Sequence, residues 1–177
     1  MKLPTAIQRC VLRPWAPGDK ASLIANANNR KVWRNLTELF PHPYTEADAD
    51  AWLRIASGPD LGIKLAIELD GVAVGGVGAR ADTGVFARTA QIGYWLGEPH
   101  WGQGIVTAAG RALLDYLKQD ARFVRLEARV FEWNPASMRV LEKLGFERVA
   151  VLRKSVTKDG QLIDSVLYSY VMKEDAT

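Results

Sequence analysis

Cysteine and histidine are scarce: the 177 residues hold one Cys, Cys10, and two His, His42 and His100. One thiol cannot form a disulfide framework, and this donor set cannot build a Cys/His zinc centre, so no metal is expected. No run of basic residues occurs. The net charge of +3 is mild and dispersed; it favours small anionic ligands and argues against a nucleic-acid partner. No stretch of about 18 apolar residues is present, so no membrane partner is expected. The opening residues MKLPTAIQRCVLRPW lack the apolar centre of a secretion signal, and a reducing, cytoplasmic location is expected. Internal repeats and low-complexity segments are absent too. What remains is an ordinary globular composition, 48% hydrophobic and 24% charged. It predicts one domain over 1–177 with its core over about 7–173.

Periodicity divides the chain into elements. IQRCVLRP reads as a first strand, stopped by Pro14 and Pro17. DKASLIANANNRKVWRNL reads as one helix with Asp19 as its N-cap. TEADADAWLRIAS reads as a second helix capped by Thr45, with Glu46 and Asp48 in its acid-favouring first turn. Ile63, Leu65, Ile67 and Leu69 alternate into a hairpin turned at Asp70-Gly71. TAQIGYWL is another strand. A helix from about Gln103 to Gln119 is expected to bury Ile105, Ala109, Ala112, Leu113 and Tyr116. FVRLEARVF alternates as a strand, NPASMRVLEKLG is a short helix ended by Gly145, and a last hairpin turns at Asp159-Gly160. The strand–helix–strand segment implies a right-handed crossover between parallel strands, and the hairpins imply antiparallel pairing. The expected class is a mixed α/β (α+β) sheet, distinct from a Rossmann fold.

The most informative stretch is IGYWLGEPHWGQGIVTAAGRALLDYL, Ile92 to Leu117. Gly102 and Gly104 follow a strand and open a helix. Glycines there allow a ligand close to the backbone, and a helix N-terminus presents unpaired N–H groups to an anion. The stretch is neither a Walker A loop nor G-x-G-x-x-G, because no Gly-Lys-Ser/Thr follows and position 107 is Thr. The Thr107 hydroxyl can cap the helix or contact a phosphate.

Together with RLEARVFEWNPASMRVLEKLGF, this stretch resembles the GNAT superfamily of acyl-CoA-dependent N-acyltransferases. Within it, the resemblance is to the RimJ/RimL branch, which acetylates ribosomal-protein N-termini. It runs from LRPW through PHPYTEADADAWL to DGQLIDSVLYSYV. The resemblance implies a mostly antiparallel sheet flanked by helices, in which the parallel strands at 90–96 and 124–131 splay apart. The pantetheine arm of acetyl-CoA then lies in the splay. The family's phosphate loop, Q/R-x-x-G-x-G/A, falls on Trp101, Gly102, Gln103, Gly104, Ile105 and Val106. Gly104 matches, while Trp101 replaces Gln/Arg and Val106 replaces the small last residue. Asn134 matches the Asn that bonds the pantetheine arm, and Ser137 matches a residue near the thioester sulfur. The resemblance also implies a homodimer.

Acyl transfer by direct amine attack needs an N–H for the oxyanion, an acid for the sulfur and a base for the amine. A splayed strand offers a free backbone N–H near Trp95 or Leu96, and Ser137 is the expected acid. Bases are fewer. Val149 and Gln91 stand where relatives often carry Glu, which leaves Glu38 and His42 as candidates; His100 sits beside the phosphate loop. At pH 7 roughly a tenth of a protein α-amine is neutral, against about 0.04% of a lysine amine, so a weak base favours α-amine acceptors.

Trp15, Trp33 and Trp52 are expected in the core. Trp95, Trp101 and Trp133 flank the cofactor groove, with Trp95 out of phase with Ile92, Tyr94 and Leu96 and so directed to the acceptor side. Arg139 and Lys143 lie near the nucleotide end and either meet phosphate or form a solvated face. Arg125, Glu127 and Arg129 read as cross-strand ion pairs. The leading expectation is acetyl transfer to an N-terminal α-amine. Acetylation of a small amine (an amino acid, polyamine or antibiotic) and a non-catalytic acyl-CoA sensor are its alternatives.

Overall fold

The computed structural model describes residues 1–58 and 62–172. The ends of the expected domain and core, at 177 and 173, lie outside the described residues. Eight strands are β1 (Leu3–Pro4), β2 (Cys10–Pro14), β3 (Gly62–Leu69), β4 (Val72–Ala81), β5 (Thr89–Leu96), β6 (Arg125–Phe131), β7 (Glu147–Lys158) and β8 (Gln161–Val171). They form one sheet in the order β1-β2-β3-β4-β5-β6-β8-β7. Every neighbouring pair is antiparallel except the central β5–β6 pair, which is parallel. The α-helices among the described residues are α1 (Lys20–Ala27), α2 (Arg30–Trp33), α3 (Glu46–Ser57), α4 (Ile105–Leu117) and α5 (Pro135–Lys143).

The alternation of β6 sends Leu126, Ala128 and Val130 to one face, where α4 buries Ile105, Ala109, Leu113 and Leu117 against them. Each fully buried Leu, Ile or Val among these stabilises the fold by about 1.5–3 kcal/mol. The buried stripe of α4 also takes in Leu114, while Ala112 and Tyr116, expected inside, sit half-buried at its edge. On the opposite face α1 and α3 cover the sheet through Leu23, Ala27, Ala49 and Leu53, packed with Trp15 from the connection after β2. Thr45 caps α3 as expected, in a reciprocal capping box with Asp48.

Three expectations are corrected. The first helix is two: it breaks at Asn28-Asn29, where the Asn29 side chain accepts from the Lys31 N–H and starts α2. A side-chain cap satisfies that second start better than a continuous turn. Asp19 does not cap α1. Its carboxylate accepts two bonds from the Arg13 guanidinium, at 2.7 and 2.8 Å, and one from the Ala16 N–H at 2.9 Å. Finally, Trp15 is buried, but Trp33 and Trp52 are only half-buried. Trp52 packs edge-on against Trp15, whereas Trp33 lies under the Lys158 ammonium and beside the His42 ring.

Candidate active site

β5 and β6 pair at only three positions: Thr89 with Arg125, Ala90 with Leu126 and Gln91 with Glu127. Beyond Gln91 each strand stays bonded to its outer neighbour, β5 to β4 and β6 to β8, so the two separate into a V. The Gly97 N–H donates to the Val74 carbonyl at 2.9 Å. In an antiparallel ladder alternate residues turn their N–H and C=O the same way. The N–H groups of Ile92, Tyr94 and Leu96 therefore point away from β4, into the V. Of the two expected oxyanion positions, Leu96 presents its N–H to the gap and Trp95 turns its own toward β4.

The V opens into a cleft of about 1700 Å³. At one end stands the head of α4. Gly102 and Gly104 both adopt left-handed backbone, with φ of +76° and +77°. Any other residue would be strained there. No side chain caps α4, and its first intrahelical bond is from the Ala108 N–H to the Gly104 carbonyl, 3.0 Å. The N–H groups of Ile105, Val106 and Thr107 are thus left to an external acceptor, as an anion site requires. The Trp101 indole N–H donates to the Leu96 carbonyl at 2.7 Å and ties this loop across the mouth of the V. Gln103 closes the loop internally through the Pro99 carbonyl, 3.1 Å. The Val106 side chain packs half-buried against the core, and Thr107, Arg139 and Lys143 line the cleft.

α5 forms the second wall. Asn134 caps it by accepting from the Ser137 N–H at 3.2 Å. The Ser137 hydroxyl lies 2.8 Å from the phenol of Tyr94. Burial pushes that phenol up to about 12, so it is protonated at neutral pH. Ser137, Asn134 and the α4 loop all line the cleft, together with Tyr94, which the sequence placed only as an apolar-face residue.

The other end of the cleft is bounded by Phe40, Trp52 and Trp95. Trp95 stacks on Trp15 with ring centroids 6.4 Å apart. Glu38 also lines the cleft, its carboxylate accepting from Lys158 at 2.9 Å, while Arg30 and Asp159 pair beside it. These contacts fasten the β7–β8 hairpin to the loop after α2. His42 is exposed beside Trp33 and does not border the cleft. His100 lines it, on the turn at Glu98–His100 before the loop. Val149 is an exposed bulge residue of β7. The expected cross-strand ion pairs of β6 are corrected: Arg125 pairs with Glu127 two residues along the same strand, at 2.7 Å. Across the ladder Glu127 meets Gln91, whose Nε2 donates to it at 3.2 Å and to Asp82 at 3.1 Å. Among the described residues no cluster of His, Cys, Asp and Glu has the make-up of a metal site, and no helix is long and apolar enough to cross a membrane.

A model of the acetyltransferase (GNAT) domain matches residues 9–147. The chain is 40% identical over 88 residues to the probable N-acetyltransferase YjcK of Bacillus subtilis, covering 50% of this chain and 49% of that one. It is 33% identical over 85 residues to the ribosomal-protein-serine acetyltransferase of Escherichia coli, 48% of each. The chain thus spans about half the length of these curated relatives. Among solved structures, Mycobacterium smegmatis RimJ in complex with CoA-disulfide superposes with a TM-score of 0.79 at 28% identity, over 97% of this chain and 86% of that one.

Proposed function

The chain belongs to the GNAT acetyltransferase family, and from that premise we propose that it moves an acetyl group from acetyl-CoA to a primary amine, the N-terminal α-amine of a protein or peptide. The observation that carries this reading is the V between β5 and β6 with the uncapped head of α4 at its mouth. The pyrophosphate meets the N–H groups of Ile105, Val106 and Thr107, with Arg139 nearby. The pantetheine arm runs between the strands, bonded by the Asn134 amide and by backbone groups of β5. The amine attacks the thioester carbon directly, the Leu96 N–H receives the oxyanion, and Ser137 protonates the departing sulfur. Glu38, on the cleft wall, shapes the acceptor end. An α-amine fits a site with no strong base better than a lysine does, because a far larger fraction of it is neutral at pH 7. Support comes also from the E. coli relative, named for acetylating a ribosomal-protein serine.

Calorimetric titration with acetyl-CoA, then thiol release on adding peptide and small amines, tests the reading. Micromolar binding with release on peptide α-amines is expected. Binding with release only on small amines moves the acceptor class. Binding without release on any amine replaces the enzyme with an acyl-CoA-binding module.

A further inference from the structure

We propose that Glu127 is the carboxylate that seats the acceptor's ammonium and takes the proton of the attacking nitrogen. The inference rests on the acetyl-transfer reading and assigns the base which that reading leaves open.

Position comes first. Gln91 and Glu127 form the last rung of the β5–β6 ladder, so Glu127 stands at the apex of the V. An acyl chain entering from the head of α4 points toward that apex. Along β6, Leu126, Ala128 and Val130 face the α4 core, so Glu127 projects to the opposite face, where Gln91, Gly93 and Trp95 of β5 also project. Glu127 lines the cleft, and its side chain keeps 19% of its surface exposed. Asp82 also accepts from Gln91, but Glu127 is the carboxylate that the β5–β6 register sets opposite Gln91 inside the V, the position where an amide cannot accept a proton.

The side chain is also held and charged. Arg125 Nε donates to one carboxylate oxygen and Gln91 Nε2 to the other, which leaves each oxygen a lone pair for an ammonium. Gln91 is itself oriented by Asp82. The charged groups on this face among the described residues include Arg125 and Arg129 from β6 itself, Asp82 bonded to Gln91, Arg80 opposite Gln91 on β4, Lys64 on β3 in line with Gly78 and Gly93, and Glu147 beyond Ser169 on β7. Burial pushes the Glu127 carboxyl up, but the bonds from Arg125 and Gln91 and the two arginine charges outweigh it and hold it below the usual carboxylate range. It is therefore ionised at neutral pH. Such a carboxylate is too weak to strip a free ammonium. It suffices once the N–C bond forms, because the nitrogen of the tetrahedral adduct is cationic and strongly acidic. The step balances: the seated ammonium first loses one proton to solvent, the neutral nitrogen bonds to the acyl carbon as the carbonyl electron pair moves onto oxygen, and the proton left on the cationic nitrogen passes to Glu127 and on to solvent. The C–S bond then breaks, and the sulfur takes a proton from Ser137, which solvent replaces.

The test compares Glu127→Gln, Glu127→Asp and Glu127→Ala with the wild type on an accepted peptide. Acetyl-CoA affinity by calorimetry and the thermal midpoint report on folding. Glu127→Gln is expected to lower kcat about a hundredfold with acetyl-CoA affinity held, as loss of a proton acceptor should. Glu127→Asp recovers part of it, and added formate restores part of the Glu127→Ala rate, which a purely structural role would not allow. A folded Glu127→Gln enzyme within twofold of wild type overturns the proposal, as does Glu127→Ala without formate rescue. If Glu127→Gln does not fold, Arg125→Met serves instead. It removes the main counter-charge, raises the Glu127 carboxyl and is expected to bring the acid fall in rate to higher pH; an unmoved profile overturns the proposal. A wild type that binds acetyl-CoA and acetylates nothing overturns this proposal and the transfer reading together.

Discussion

The phenol of Tyr94 and the hydroxyl of Ser137 meet at 2.8 Å across the wall of the cleft, one from β5 and the other from the first turn of α5. When the phenol donates to Ser137 Oγ, the serine proton is released from local bonding and can go to a leaving thiolate. Ser137→Ala is expected to lower kcat by about a hundredfold and Tyr94→Phe by about tenfold, both with acetyl-CoA affinity unchanged. With the phenol pushed up to about 12, no fall in rate from its ionisation is expected below pH 10. A Tyr94→Phe enzyme of full activity, or one that no longer binds acetyl-CoA, would separate the phenol from proton supply.

Much of this site is legible in the sequence, because it is built on short-range chemistry. Two glycines at a strand–helix junction announce left-handed backbone, and Asn134 with Pro135 announces a helix start. The strands, hairpin turns and α3 cap follow from local pattern in the same way. Tertiary partners decide what stayed hidden. Asp19 has the composition of a cap, yet Arg13 lies six residues back on β2 and claims its carboxylate. Glu127 looks like a charge among arginines until the ladder register sets it opposite Gln91. Lys158 carries no signal of its own beside the Asp159-Gly160 turn, yet its side chain is 1% exposed, over Trp33 and against Glu38.

The Trp101 indole stands where the family pattern carries Gln or Arg, and it bonds the Leu96 carbonyl at the exit of β5. That bond holds the loop from Trp101 to Gly104 at the mouth of the V. Trp101→Phe keeps most of the ring and deletes the N–H. A neutral hydrogen bond contributes ~1 kcal/mol, so acetyl-CoA binding is expected to weaken ~5-fold by calorimetry. Trp101→Gln, which can donate to the same carbonyl, should recover part of the loss. An unaltered affinity in Trp101→Phe would leave the indole no part in shaping the loop.

Arg13, Asp19 and Glu68 form a largely buried charge cluster linking β2, β3 and the start of α1. Burial raises the Asp19 carboxyl, but the Arg13 guanidinium and the Ala16 N–H outweigh it and hold it below its ordinary range. A carboxyl lowered in the folded state contributes stability above its unfolded value near 3.9, lost as pH falls through the folded value. The thermal midpoint is therefore expected to hold from pH 7 to 5 and to drop below pH 4. Asp19→Asn should flatten that acid limb and destabilise the protein by about 2 kcal/mol at pH 7, since it weakens two charge-assisted bonds and leaves Glu68 as the carboxylate partner of Arg13. A variant with the wild-type acid profile would remove Asp19 from the cause.

Gly93 sits between Gln91 and Trp95 on the face of β5 turned away from α4, exposed and lining the cleft, and an added Cβ would meet nothing within 4 Å. Its backbone is not left-handed, so it needs no glycine for conformation. Valine suits a strand better than glycine, and Gly93→Val should fold at least as stably as the wild type. On the proposed reading the acceptor lies over this face, and the added methyls narrow its floor. For peptides with a bulky first residue kcat/KM is expected to fall about tenfold, and for those beginning with Gly or Ala about twofold, while acetyl-CoA binding is unchanged. The same loss on both peptide sets would mean that the acceptor does not pass over Gly93. A loss of acetyl-CoA affinity would place the pantetheine, not the acceptor, on this face of the strand.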